Sequence, residues 1–288
     1  MDLLAQLAVN GVVAGSLYAL LGVSFGLIYG PTRIVHFGHG SIYAAGAYAA
    51  WFAAVPLALP LWLALPFGVV AGGVLGVLCY LLVYWPLERR GSTPLVILIT
   101  SLGLFIFLEN VIGITFGSDT KIVPMQASGV VLLGPVVVTW LQIGEVAASF
   151  VGILTLMLVL RLTGFGRTVR AITDNPEMAR TIGIDTKRVS SLVFLIGSML
   201  CAMPATIVLL MDGAQPQMGL TASFIGYVVV MVGGIGSLWG AAIAGLLLGL
   251  VEHVGMWQLP TEWQSTIAFA VLVAVLLVRP RGLISGRV

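Results

Sequence analysis

Few residues in this chain could do chemistry, and their placement narrows what that chemistry is. There are three histidines. His36 and His39 stand three apart in "HFGHGS", which runs on to Ser41, while His253 follows Glu252. That spacing would suit two metal ligands, but no nearby cysteine or carboxylate completes a site, and no metal is assigned. Glu109 sits with Asn110 inside the apolar run "LGLFIFLENVIG". An ionisable group within such a run is a candidate lining for a solute pathway; the plainer reading is a paired or protonated carboxylate facing other helices. Glu252 and His253 lie near the end of their run, where a solvated interfacial pair is the simpler expectation. No G-x-x-x-x-G-K-[ST] occurs, so the chain does not itself cradle nucleotide phosphates. With no catalytic constellation either, an enzyme is excluded. Cys79 and Cys201 fall in apolar runs and read as small buried hydrophobes, not as a disulfide.

The elements that must position these residues follow from composition. The 288-residue chain is 59% hydrophobic and 8% charged, against about 25% charged in a soluble domain. Uncharged apolar runs recur, and several exceed the ~20 residues that cross a ~30 Å hydrocarbon core. They fall at 5–29, 41–56, 60–86, 94–116, 144–161, 189–211, 221–235, 238–255 and 264–279. The reading is an all-α polytopic membrane protein of eight or nine transmembrane helices, forming one domain over 1–288. The N-terminal run has no basic residue before it and is expected to be kept as the first span. Two links between runs are rich in glycine. These are "YGPTRIVHFGHGS" (29–41) and "VGGIGSLWG" (232–240), the latter carrying Gly233, Gly234, Gly236 and Ser237. Broken helices in corresponding halves line the pathway in many transporters, so the two links, with a weak internal repeat, are candidates for that role together with Glu109 and Asn110.

Basic residues set an expected orientation. Arg33, Arg89 and Arg90, then Arg161, Arg167, Arg170, Arg180, Lys187 and Arg188, and finally Arg279, Arg281 and Arg287 are all inside if the N-terminus is external and the C-terminus cytoplasmic. Twelve of the thirteen basic residues then share one side. Lys121 alone is outside, in the external segment 117–143.

The inner loop 163–188 contains one well-punctuated helix. Asp174 or Asn175 can cap its start, Pro176 suits the first helical position, and Glu177 favours the positive end of the helix dipole. Gly183 can take the left-handed position past the end. The helix expected over 176–182 places Met178 and Ile182 on one face, with Ala179 and Arg180 between them. A helix this short is marginal alone in water, so it needs a surface to dock on. That surface is either its own bundle or a partner.

Three stretches carry a family resemblance. "GFGRTVRAITDNPEMARTIGIDTKRVSSLVFLIGSMLCAMPA" (164–205) resembles the cytoplasmic loop and following span of the LivH/LivM permeases, the membrane subunits of branched-chain amino acid ATP-binding-cassette importers. "NGVVAGSLYALLGVSFGLIYGPTRIVHFGHGSIYAAGAYAA" resembles their first hairpin, although His36 stands where that family usually has asparagine. "VVMVGGIGSLWGAAIAGLLLGLVE" resembles their glycine-rich segment. The resemblance implies a bacterial cytoplasmic membrane permease working by alternating access. It implies a second, LivM-like permease subunit, two ATPase subunits that hold ATP and Mg, and an external substrate-binding protein. The residues from Asp174 to Gly183 would then be the grip of the ATPase. This chain would bind no cofactor and no nucleic acid, and it would contact lipid. Urea or amide uptake is an alternative within the same family. An ion-coupled secondary transporter or a channel-like subunit is an alternative of another class.

Overall fold

The computed structural model describes residues 2–124, 129–258, 260, 263–279 and 282–284. Arg281 and Arg287 of the basic tail, and 125–128 of the segment 117–143, lie outside the described residues. The helices are α1 (Asp2–Thr32), α2 (His39–Ala54), α3 (Leu61–Cys79), α4 (Trp85–Arg89), α5 (Pro94–Phe116), α6 (Trp140–Leu162), α7 (Gly164–Asp174), α8 (Pro176–Thr181), α9 (Thr186–Asp212), α10 (Met218–Gly233), α11 (Leu238–Gly255) and α12 (Gln264–Val278). Each of the nine apolar runs corresponds to helix. Among the described residues six helical stretches are long and apolar enough to cross a membrane: Leu3–Thr32, Leu61–Arg89, Pro94–Phe116, Trp140–Leu162, Thr186–Asp212 and Leu238–Gly255. α10 and α12 are shorter apolar helices. The 16-residue α2 rises only about 24 Å, short of a full crossing.

Side-chain caps explain where the helices begin. Thr93 accepts from the Val96 amide at the start of α5, with Pro94 at its first position. Thr163 caps α7 by accepting from Gly166, and Asp185 caps α9 by accepting from Arg188. Each of these satisfies an amide that the first helical turn leaves unpaired. Between α3 and α4 the winding loosens into a π-helical turn, Tyr80–Tyr84, closed by the Trp85 amide bonding to the Tyr80 carbonyl. The cause lies just downstream. Pro86 has no amide to donate, and its ring would crowd the carbonyl four residues back, that of Leu82. One wider turn removes the conflict. Hydropathy alone shows 60–86 as one apolar run and carries no sign of the wider turn.

The segment 117–143 holds a second element that hydropathy does not announce. Val130–Leu133 (β1) and Val136–Thr139 (β2) pair antiparallel, Val130 opposite Thr139, with Gly134 at φ 63° in the two-residue turn. A Gly-Pro pair between two short apolar runs, the second of them β-branched throughout, is the available signal. Gln6 grips this hairpin by donating to the Val137 carbonyl at 3.0 Å and accepting from the Val137 amide at 2.9 Å.

The described chain divides into two compact units, 1–26 with 124–153 and 224–287, and 27–123 with 154–223. In the second unit α2, α3 and α9 pack together. Small residues allow this: a Cβ on Gly46 would lie 2.6 Å from the Ala202 Cβ, and one on Gly68 would strike the Gly46 carbonyl. Close backbone approach is the usual basis of helix association in lipid. α5 buries only Ser101, Phe105 and Ile112, and its remaining apolar surface, including Ile99, Ile106 and Ile114, is exposed. In the first unit α11 packs on α12, and Gly245 and Gly249 of α11 abut Ala19 and Gly15 of α1.

Candidate functional site

The loop expected to grip a partner is a built corner of two helices. α7, within the stretch expected as loop, is tied to the end of α6 by Arg170, whose Nη1 donates to the Leu160 carbonyl at 2.6 Å. α8 then begins at an extended Asn175, φ −153° and ψ 99°. Of the two candidate caps it is Asn175 that acts: its Oδ1 accepts from the Glu177 amide at 3.1 Å and the Met178 amide at 3.0 Å. Asp174 ends α7 instead. The helix closes at Thr181, one residue earlier than expected, with Ile182 as its C-cap. Gly183 has φ 86°. Its amide bonds to the Arg180 carbonyl and the Ile184 amide to the Ala179 carbonyl, both at 3.0 Å. This paired closure is the Schellman arrangement, which needs a residue without Cβ strain at Gly183. Ala179 is 2% exposed, so this face of α8 rests on its own unit. Met178 and Ile182 are 58% and 67% exposed. Pro176, Glu177 and Arg180 are exposed as well.

The first glycine-rich link forms a buried polar cluster. α1 ends beyond Pro31, Arg33 takes φ 57°, and Arg33 Nη2 donates to the Thr173 carbonyl of α7 at 3.3 Å. His36, His39 and Ser41 are 0%, 2% and 1% exposed. His36 Nδ1 lies 2.7 Å from the Tyr84 hydroxyl, which donates to Ser101 Oγ at 2.9 Å. The Phe37 amide also donates to Ser101 Oγ, at 2.7 Å. Ser41 Oγ donates to the Phe105 carbonyl at 2.9 Å, and Ser223 Oγ donates to the Phe37 carbonyl at 3.4 Å. His36 Nε2 has no partner among the described residues. The two imidazoles meet edge to face with centroids 5.7 Å apart. Among the described residues no third His, Cys, Asp or Glu joins them as a metal-holding group. Gly40 touches the Gly219 backbone so closely that a Cβ at either residue would overlap the other. Sequence reasoning found His36, His39 and Ser41 but missed Tyr84, Ser101 and Ser223, which lie 43 or more residues beyond Ser41 and carry no motif.

Glu109 and Asn110 do not join this cluster. Asn110 is exposed and donates to the Ile106 carbonyl of its own helix at 2.7 Å. Glu109 is half-buried on α5, one turn beyond Phe105, with no hydrogen bond among the described residues.

The second link lies in the other unit. Gly234 and Gly236 take φ 103° and 92°, and Ser237 Oγ accepts from the Gly240 amide at 3.0 Å to start α11. The carbonyls freed at the end of α10 are taken up by the chain's tail: the Leu283 amide bonds to the Val232 carbonyl at 2.8 Å and the Ile284 amide to the Gly233 carbonyl at 3.1 Å. In the same unit Glu252 is not the solvated interfacial group expected but is 2% exposed. Glu252 Oε2 accepts from the Tyr18 hydroxyl at 2.9 Å and from Gln264 Nε2 at 3.4 Å. Neighbouring His253 is half-buried, with Nδ1 3.0 Å from the Gly249 carbonyl. Tyr18 and Gln264 shield the carboxylate, and periodicity within one helix could not show them. Glu145, 1% exposed, is a further buried carboxylate that went unremarked in the sequence.

Comparison with known proteins agrees with this architecture. Residues 7–276 match the family model described as branched-chain amino acid transport system / permease component. The chain is 32% identical over 292 residues to the high-affinity branched-chain amino acid transport system permease protein LivH of Salmonella typhimurium, covering 96% of this chain and 93% of the relative. It is 31% identical to BraD of Pseudomonas aeruginosa, covering 97% and 95%. A weaker likeness, 27% identity over 61% of this chain and 50% of the relative, links it to the xylose transport system permease protein XylH of Escherichia coli. Among solved structures, PsaBC from Streptococcus pneumoniae in complex with Fab aligns with TM-score 0.54 and 11% identity, over 94% of this chain and 91% of that one. It shares the fold. With six long apolar helices among its described residues and relatives that are permeases rather than enzymes, this multi-pass membrane chain belongs to the family of branched-chain amino acid transport system permease components.

Proposed function

We propose that the chain is one membrane subunit of an ATP-driven importer that carries branched-chain amino acids across the bacterial cytoplasmic membrane by alternating access. Its partners are a second permease subunit, two ATPase subunits that hold ATP and Mg, and an external binding protein. The N-terminus is outside and the C-terminus in the cytoplasm, the orientation that puts Arg170, Arg180, Lys187 and Arg188 on the cytoplasmic face. The observation that carries the coupling role is α8 itself. Six residues are held as helix by a side-chain cap and a Schellman closure, Ala179 faces inward, and Met178 and Ile182 project outward. An apolar pair on a capped, water-facing helix is suited to a pocket on a motor subunit. The first glycine-rich link, with His36, His39 and Ser41, is the proposed polar lining for a zwitterion.

The test is association of the detergent-solubilised permease pair with its ATPase subunits. Met178→Asp and Ile182→Asp alter exposed side chains and so spare the fold. Burying each side chain at an interface contributes about 1.5–3 kcal/mol, so each variant is expected to weaken association about tenfold or more. Unchanged association in both removes α8 from the coupling role. In proteoliposomes, leucine uptake that needs ATP and survives ionophores supports the importer; uptake driven by an ion gradient alone overturns it. The likeness to XylH makes a sugar the second substrate reading, and competition of leucine uptake by isoleucine and valine but not xylose decides against it.

A further inference from the structure

We propose that the π-helical turn Tyr80–Tyr84 is the mechanical link between the α8–α9 corner and the buried link before α2, with Tyr84 as its positioning residue. This rests on the coupling role proposed for α8.

The turn faces α9 with two tyrosines. Bonding from residue i to i+5 widens the winding, and Tyr80 and Tyr84 both pack on one α9 side chain. Phe194 stacks on Tyr80 at 4.9 Å and 29° and meets Tyr84 at 5.6 Å. The same ring meets His36 at 5.2 Å. Tyr80, Tyr84, Phe194 and His36 are all at most 1% exposed, so no solvent layer cushions them. Close-packed interiors transmit displacement instead of absorbing it.

Both ends of the turn are also held by polar contacts. Toward α4, the Tyr80 hydroxyl donates to Glu88 Oε2 at 3.1 Å. Lys187, in the first turn of α9, sits 5.4 Å from the Trp85 ring centre. At the other end, Tyr84 holds both His36 Nδ1 and Ser101 Oγ, and Ser101 takes the Phe37 amide. The hydroxyl thus ties the link before α2 to α5.

Tyr84→Phe deletes one oxygen and keeps the ring. The experiment reconstitutes the complete transporter with wild-type or Y84F chain and measures leucine uptake, ATP hydrolysis and thermal midpoint. A lost buried hydrogen bond that leaves its partners unsatisfied corresponds to about a tenfold effect. The expected result is about tenfold slower maximal uptake per ATP hydrolysed, with basal hydrolysis and half-saturating leucine within about twofold. Ser101→Ala, which removes the other half of the tie, should reproduce it, and the double variant should be no worse than either alone. Additive losses, wild-type uptake per ATP in Y84F, or a fall in uptake matched by loss of assembled complex would each overturn the link. If Y84F fails to assemble, S101A decides by the same criteria. A wild-type complex without ATP-dependent uptake refutes the importer reading and the inference with it. An active wild type beside an unaltered Y84F refutes the inference alone.

Discussion

Asn175→Ala isolates the cap on which α8 depends. The side chain accepts from two amides, those of Glu177 and Met178, at 3.1 and 3.0 Å. Alanine leaves both without that acceptor. Cap removal costs about 0.5–2 kcal/mol, typically ~1. In a long helix that loss is spread over many bonds. Here the helix has six residues, and the bonds that close its two ends come from the amides of Ala179, Ile182, Gly183 and Ile184. The opening of α8 is therefore expected to shift as a unit, by a factor of about five. Hydrogen exchange of the chain in nanodiscs reads this directly: these four amides should exchange about fivefold faster, and amides inside α9 should be unchanged. Asn175→Asp keeps an acceptor and adds a charge suited to the helix start, so it should exchange like wild type. Exchange in the alanine variant equal to wild type, faster exchange in the aspartate variant, or a rise spreading into α9 would each refute the argument that this one side chain holds α8 closed.

Gly40→Ala should lower the thermal midpoint in detergent, since its Cβ would overlap the Gly219 carbonyl and the Ser223 hydroxyl and overpacking costs about 1–3 kcal/mol; Gly113→Ala, with nothing within 4 Å of the added carbon, should leave the midpoint unchanged or raise it. Glu252→Leu should destabilise by about 1–3 kcal/mol by leaving the Tyr18 hydroxyl unpaired, whereas Glu252→Gln keeps an acceptor and should cost less. Equal midpoints for the two would show that the Tyr18 bond contributes nothing. Gly183→Val places a β-branched residue at φ 86°, a strain of about 1–2 kcal/mol, and should raise α8 exchange as Asn175→Ala does. Gly183→Asn, which tolerates that backbone region, should not.

What could be read from residues alone were features written in local periodicity and composition. Apolar runs mark the helices because a hydrocarbon core demands continuous apolar length. Asn175, Pro176 and Gly183 mark α8 because capping is decided within a few residues. His36, His39 and Ser41 stood out because polar groups are rare in such a chain. α7 was missed because its cap, Thr163, had no apolar run after it to announce a helix. The π turn was missed because hydropathy does not register a change of winding, and the hairpin because eight residues are too few to show alternation. Only tertiary structure decided which polar groups are satisfied. Tyr84 reaches His36 across 48 positions of chain and Ser101 reaches Phe37 across 64, Tyr18 reaches Glu252 across 234, and the tail at Leu283 and Ile284 closes the carbonyls of Val232 and Gly233. Hydrogen bonding inside a membrane is a requirement on every buried polar group. The sequence states the requirement; the partner that meets it is chosen by packing, because helices far apart in the chain supply it.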